Sequence, residues 1–276
     1  MSRAGRTRAD QLLVERGLVP SRERGRALIL AGQVFCGEQR IDKAGHALAA
    51  DADLRLAVPD HPFVGRGGLK LEAALDHFGV DPAGRVILDV GASTGGFTDC
   101  LLRRGARFSH AVDVGHNQLD WRLRNDPRVR SLEGTHIRDL EPAALEPAPD
   151  LAVVDVSFIG LAKVIPHLAR FATLGAAIVL VKPNFELEPA RVGKGGVVRD
   201  PEACREAVER VRAAAREHGF TPSEAIESPI RGGKGNREFL LHLRRAFGAP
   251  RCDGGAAAAS DSTTDDGNDE VNDGGA

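Results

Sequence analysis

The stretch Asp89-Val90-Gly91-Ala92-Ser93-Thr94-Gly95-Gly96-Phe97-Thr98 decides the reading of this chain. It follows the apolar run Val86-Ile87-Leu88 and leads into an amphipathic segment reaching Arg104. A strand, a glycine turn and a helix in this order open a doubly wound α/β sheet. In such sheets ligands sit at the carboxyl ends of the strands, and glycines let the backbone approach them. A phosphate-binding P-loop needs lysine where Phe97 stands, and without it the terminal phosphates lack their counter-charge. A dinucleotide fingerprint needs a second glycine where Ser93 stands.

The ligand that fits carries an amino acid and a ribose but no phosphate. Asp89 is expected to receive an amino group, and Asp113, closing the next strand, to accept from a ribose diol. S-adenosylmethionine carries both groups.

Outward from the loop, strand patterns recur at Val86–Val90, His110–Val114, Val129–Leu132, Leu151–Val156 and Ile178–Val181. Helix patterns alternate with them at Phe97–Arg104, Gln118–Arg124, Leu161–Phe171 and Pro201–His218, and an earlier helix carries Leu71, Ala74, Leu75 and Phe78. Strands near Phe220–Ile226 and Glu238–Leu243 follow without an intervening helix, so one of them is expected to be antiparallel. The predicted fold class is α/β, a Rossmann-like, mostly parallel seven-stranded sheet, joined to a small α+β unit.

That unit covers residues 1–59. Thr7 and Asp10 have capping-box spacing before Leu12 and Leu13. Ser21 is placed to cap a second helix with Ala27, Leu28 and Ile29 inward, and short strands are expected at Val34–Cys36, Gln39–Ile41 and Leu54–Val58. Residues 60–66 read as a linker, 67–248 as the sheet domain and 249–276 as a disordered acidic tail.

The 276 residues carry a formal charge of −2, but the charge is unevenly spread. Residues 1–26 hold seven arginines against Asp10, Glu15 and Glu23, while the tail is strongly acidic. A basic head suits a polyanion, and Arg6, Arg8, Arg22, Arg24 and Arg26, with Lys43 and Arg66, are the expected RNA contacts. The longest apolar run, Ala176 to Val181, is far below the ~18–20 residues of a membrane span, and no signal peptide opens the chain, so a cytoplasmic protein is expected. Cys36, Cys100, Cys204 and Cys252 form no C-x-x-C pair; neither a disulfide framework nor a metal site is expected.

Four charged residues stand at element ends: Lys70, Asp155, Lys182 and Glu238. Charges beside apolar runs are costly unless paired, so they are expected to meet. In this order and on these elements they resemble the Lys-Asp-Lys-Glu tetrad of FtsJ-type ribose 2′-O-methyltransferases, and Asp89–Phe97 resembles their cofactor motif. Ser21-Arg22-Glu23-Arg24 through Ile29-x-x-Gly32-x-Val34 resembles the S4 RNA-binding domain. The combination, with Gln118-Leu119-Asp120-Trp121 and Gly193-Lys194-Gly195-Gly196-Val197-Val198, is similar to the TlyA family over residues 7–245.

The resemblance implies methyl transfer from S-adenosylmethionine to a cytidine 2′-hydroxyl of 16S or 23S ribosomal RNA, free or in ribosomal subunits, with no membrane and no obligate protein partner. It implies Lys70, Asp155, Lys182 and Glu238 as catalytic. Gly91, Ala92, Ser93, Thr94, Gly95, Gly96 and Phe97 would cradle the cofactor, with Asp89, Asp113, Val114, His136, Ile137 and Asp155. His136 stands where relatives often have asparagine. Lys182 either takes the hydroxyl proton or stabilises the developing alkoxide. The Gly- and charge-rich segment from Glu186 to Asp200 is expected to close over RNA or cofactor. The alternatives are a non-catalytic S4-type RNA-binding protein and a membrane-active haemolysin, a label this family also carries.

Overall fold

The computed structural model describes residues 6–57 and 61–245. The acidic tail and part of the expected linker lie outside them.

The N-terminal unit runs β1 (Arg6–Arg8), α1 (Ala9–Glu15), α2 (Arg22–Leu30), β2 (Val34–Cys36), β3 (Gln39–Arg40), β4 (Ala47–Ala49) and β5 (Leu54–Leu56). Ser21 caps α2 as expected, its side chain accepting from the Arg24 N–H at 3.1 Å. The capping box is not formed. Thr7 pairs with Leu48 in a β1–β4 ribbon absent from the expected element order, and Arg8, with no side-chain cap bond, precedes α1. Asp10 is fully buried and gathers Arg8, Arg22 and Arg26 at 2.9, 3.2 and 3.0 Å. A carboxylate that organises three guanidiniums cannot also cap the helix. Ala27, expected inward, is exposed; Gly25 takes the inward place beside Ile29, where a Cβ would already touch Leu13 at 3.3 Å.

The Arg8 side chain bonded to Asp10 is the largest influence holding the Asp10 carboxyl well below its ordinary range. Asp10→Asn keeps the shape but removes the charge the arginines share. It is expected to cost about 1–3 kcal/mol, read as a lowered urea midpoint. A midpoint equal to the parent's would show that the arginines do not depend on Asp10.

The second unit runs α3 (Gly67–Phe78), β6 (Val86–Val90), α4 (Gly96–Arg103), β7 (Phe108–Asp113), α5 (Trp121–Arg124), β8 (Val129–Glu133), β9 (Leu151–Val154), α6 (Leu161–Ala169), β10 (Ala176–Val181), α7 (Pro183–Glu186), α8 (Pro201–Glu217), β11 (Phe220–Pro222), β12 (Ile226–Glu227) and β13 (Phe239–Arg245). The sheet path is seven strands long, β11-β13-β10-β9-β6-β7-β8, with β12 as an eighth strand beside β13. The predicted strand Phe220–Ile226 is broken into β11 and β12, and both pair antiparallel with β13. β10, β9, β6, β7 and β8 are mutually parallel, while β13 runs antiparallel to β10.

Alternation along the strands fills both faces. Ile87, Leu151, Val153, Ile178 and Leu180 pack with Leu71 and Leu75 of α3 and Leu101 of α4. Leu88, Val90, Val154, Val179 and Val181 pack with Val164 and Leu168 of α6 and Val211 of α8. The helix expected from Gln118 starts only at Trp121. The Gln118 and Leu119 N–H groups donate instead to Glu133 Oε1 at 2.7 and 3.0 Å, and Asp120 caps the short α5 through the Arg122 N–H. Because β6, β7, β9 and β10 are parallel, their carboxyl ends share one edge. From β6 the chain passes to β7 on one side and β9 on the other, which opens a crevice there.

Candidate active site

The crevice holds a cavity of about 270 Å³ lined by residues that include Arg66, Lys70, Gly91, Thr94, Asp155 and Lys182. Lys70 reaches it from the first turn of α3; Asp155 and Lys182 come one residue after β9 and β10. Lys182 Nζ lies 2.6 Å from Asp155 Oδ1 and donates to Ser157 Oγ at 2.9 Å. Lys70 Nζ donates to Glu238 Oε2 at 2.6 Å, and both side chains are nearly buried. The four distant charges therefore form two ion pairs. Three of them line the cavity, and Glu238 lies beside Gly232, another lining residue. Ser157 carried no signal of its own in the sequence.

Gly91 has φ +85°, and a Cβ there would fall 2.4 Å from the Asp155 carbonyl oxygen. The glycine thus lets the loop after β6 lie against the chain leaving β9. Gly96 would meet Gly65 O at 3.0 Å and Gly68 N at 3.1 Å, so α3 and α4 meet through bare backbone. Ser93 takes a left-handed φ of +48°. Its N–H donates to Asp113 Oδ2 at 2.8 Å, while Gly115 N–H donates to Oδ1 at 2.7 Å. Each of these oxygens keeps a second lone pair for a diol. Val114, beyond the end of β7, is 65% exposed and offers an apolar face beside it.

Asp89 is wholly buried. Its Oδ2 accepts from the Thr98 N–H at 3.1 Å and hydroxyl at 2.7 Å, and Thr98 in turn contacts Ser109 Oγ at 3.1 Å. Asp89 Oδ1 has no hydrogen-bond partner. Burial, aided by the charges of Asp155 and Asp113, pushes the Asp89 carboxyl up to about 7. The unfolded chain therefore releases this proton at lower pH than the folded one, and stability falls as pH rises through about 7. Asp89→Asn removes the titration and keeps an acceptor for Thr98. Its stability relative to the parent is expected to improve from pH 5 to about pH 7 and then level off, in thermal melts without ligand; an offset independent of pH would refute the assignment.

His136 and Ile137 play structural parts here. His136 Nδ1 accepts from the Arg138 N–H at 3.1 Å, and the Ile137 side chain is buried in the core. Phe158, with φ +67°, is 92% exposed, and its ring stands 5.5 Å from that of Phe185. The expected lid is anchored near both ends, at Leu187 and Val198, which are buried with Ala203 and Ala207. Among the expected RNA contacts, Arg8, Arg22 and Arg26 converge on Asp10 with about half of each side chain exposed. Arg6 and Lys43 are exposed and Arg24 is half-buried; Arg66 belongs to the cavity instead.

S-adenosylmethionine fits this edge on the structure's own terms. Gly91 and Gly96 hold the loop after β6 against the chain leaving β9 and against α3, beside the cavity at the strand ends; Asp113 offers a two-oxygen acceptor beside an apolar face, and Asp89 Oδ1 is a buried carboxylate oxygen without a hydrogen-bond partner.

Comparison with known proteins agrees. A family model described as FtsJ-like methyltransferase matches residues 63–245, and one described as S4 domain matches residues 7–54. The chain is 45% identical over 243 residues to the 16S/23S rRNA (cytidine-2′-O)-methyltransferase TlyA of Mycobacterium tuberculosis, covering 87% of this chain and 91% of that protein. It is 38% identical over 238 residues to Hemolysin A of Brachyspira hyodysenteriae, covering 86% and 99%. A solved structure described as a haemolysin of Streptococcus thermophilus superposes with a TM-score of 0.69 at 40% identity, covering 88% and 90%. The glycine loop and the two ion pairs thus lie in a chain that belongs to the TlyA family, an FtsJ-like methyltransferase domain preceded by an S4 domain.

Proposed function

We propose that this enzyme transfers a methyl group from S-adenosylmethionine to a cytidine 2′-hydroxyl of 16S or 23S ribosomal RNA, in the cytoplasm, on free RNA or on ribosomal subunits. The observation that carries this reading is the pair of lysine–carboxylate contacts beside the glycine loop. In this division of labour residues 1–59 hold RNA, 60–66 link, and 67–248 carry out the chemistry.

When bound, the cofactor supplies an electrophilic sulfonium methyl. The backbone from Gly91 to Phe97 would support it, Asp113 would accept from its ribose, and Asp155 and Asp89 would offset its positive charge. The protein aligns the hydroxyl oxygen with the methyl carbon, and such alignment can contribute ~7–11 kcal/mol. Lys182, held by Asp155 and Ser157, faces the oxygen as it loses its proton and stabilises the charge that develops there. Asp155, 2.6 Å away, offers the proton an onward route. Lys70, paired with Glu238, completes the charged lining of the cavity. The exposed ring of Phe158 is a face on which an unstacked base can lie.

Among the described residues no helix is long and apolar enough to cross a membrane. The reading is tested by mapping 2′-O-methylation in ribosomal RNA from cells with and without this protein. Loss of a cytidine methylation supports it; identical maps contradict it.

A further inference from the structure

We propose that two glycine loops beside Glu238 form a rigid basic jaw that grips the phosphodiester backbone of the RNA entering the cavity, with Lys194 and Lys234 as its cations and Asn236 as the residue that holds the loops together. This rests on the RNA reading above and adds a second RNA contact, on the catalytic unit itself.

The loops are Gly193-Lys194-Gly195-Gly196-Val197-Val198 and Arg231-Gly232-Gly233-Lys234-Gly235-Asn236. Each closes on itself: Gly193 bridges Val197, and the Gly232 N–H donates to Asn236 O at 2.9 Å. The buried Asn236 side chain then joins them. Its Oδ1 accepts from the Val198 N–H at 3.0 Å, and its Nδ2 donates to Gly196 O at 2.8 Å and to Gly233 O at 3.2 Å. With both amide donors and an acceptor site in use, neither loop moves without breaking these bonds.

The second loop is also fixed to the reaction centre. Arg231, Gly232 and Gly233 line the cavity, and a Cβ on Gly232 would sit 1.9 Å from Glu238 Oε1. Lys234 adopts φ +57°, a conformation costly for a lysine. Its ammonium lies over the first loop, 3.9 Å from where a Cβ of Gly196 would be.

Charge points the same way. Many arginines of the unit are paired with carboxylates, as in Arg210–Glu206, Arg212–Glu224 and Arg237–Glu227, although Arg107, Arg199, Arg205 and Arg244 make no ion pair with a described residue. Arg231, in the second loop, pairs with Glu227 at 3.2 Å. Lys194 and Lys234 are exposed and, like Arg66 in the cavity lining, make no ion pair with any described residue. The would-be Cβ positions of Gly195, Gly233 and Gly235 meet nothing within 4 Å, so the loops present bare backbone that a strand can approach closely. Fixed cations without internal anions, on an open surface at a cavity mouth, suit phosphate contacts that position a strand without reading its sequence.

The test uses the full chain and deproteinised 16S and 23S ribosomal RNA, measuring binding against salt and methyl incorporation from labelled cofactor. Losing two single-strand phosphate contacts should make the slope of log K against log salt shallower by about 1.4. Lys194→Ala with Lys234→Ala is therefore expected to flatten the slope by that amount and raise KM for RNA roughly tenfold at physiological salt. Lys194→Arg with Lys234→Arg should keep the parent slope. Asn236→Ala, with both lysines intact, should weaken RNA binding in the same direction. A parent-like slope and KM in the double alanine variant would overturn the jaw while leaving the methyltransferase reading intact. A parent enzyme that neither binds nor methylates ribosomal RNA, whether deproteinised or in ribosomal subunits, would overturn both.

Discussion

Lys182→Ala is expected to abolish methyl transfer and to leave S-adenosylmethionine affinity close to the parent's. The side chain removed ends in the ammonium placed 2.6 Å from Asp155 and 2.9 Å from Ser157. Nothing in the variant replaces that positive charge where the hydroxyl oxygen becomes anionic. General acid–base assistance is worth about 10²–10⁴-fold and one preorganised charge-stabilising donor about 10²–10³-fold, so single-turnover rates should fall by at least two orders of magnitude. Calorimetric titration with the cofactor separates this from a loss of binding. Parent-like turnover would discard the assignment of Lys182; a loss of affinity equal to the loss of rate would move it to the cofactor's support.

Gly91→Ala is the second large effect, and it acts through backbone rather than charge. At φ +85° an alanine is strained, and its Cβ would fall 2.4 Å from the Asp155 carbonyl oxygen. Strain and overpacking each cost about 1–3 kcal/mol. The relief available is for the loop to lift away from β9, which withdraws the Gly91–Phe97 cradle and disturbs Asp155 and its contact to Lys182 together. Cofactor affinity is expected to fall by more than tenfold and turnover with it, while the melting temperature drops by only a few degrees. Unchanged affinity would mean that the loop does not support the cofactor.

Much of the sheet could be read from the chain because its information is local. Val86–Val90, Leu151–Val156 and Ile178–Val181 read as short apolar strand runs, with Asp89 and Asp155 inside the first two and Lys182 directly after the third, charges that cannot be buried without a partner. That is also why Asp155 and Lys182 stood out. What escaped the reading depends on partners distant in sequence. Thr7 and Asp10 have the spacing of a capping box, yet Thr7 is drawn into a ribbon with Leu48 and Asp10 into arginines 12 and 16 residues onward. Gln118 looked helical until Glu133 claimed its N–H. His136 and Ile137 follow the third strand of the sheet; the His136 ring accepts from the Arg138 N–H and the Ile137 side chain packs into the core. Ser157 and Asn236 are ordinary polar residues in sequence; only the convergence of two loops gives either a role.

The central claim is that the site methylates a ribose oxygen. A 2′-O-methyl group blocks alkaline cleavage of the neighbouring phosphodiester, so the label has a chemical signature. Ribosomal RNA treated with the purified protein and methyl-labelled S-adenosylmethionine should, after alkaline hydrolysis, carry its label in alkali-resistant dinucleotides whose 5′ nucleoside is cytidine, and Lys182→Ala should give none. Label recovered in alkali-labile mononucleotides, or no label from free ribosomal RNA and ribosomal subunits alike, would contradict the account.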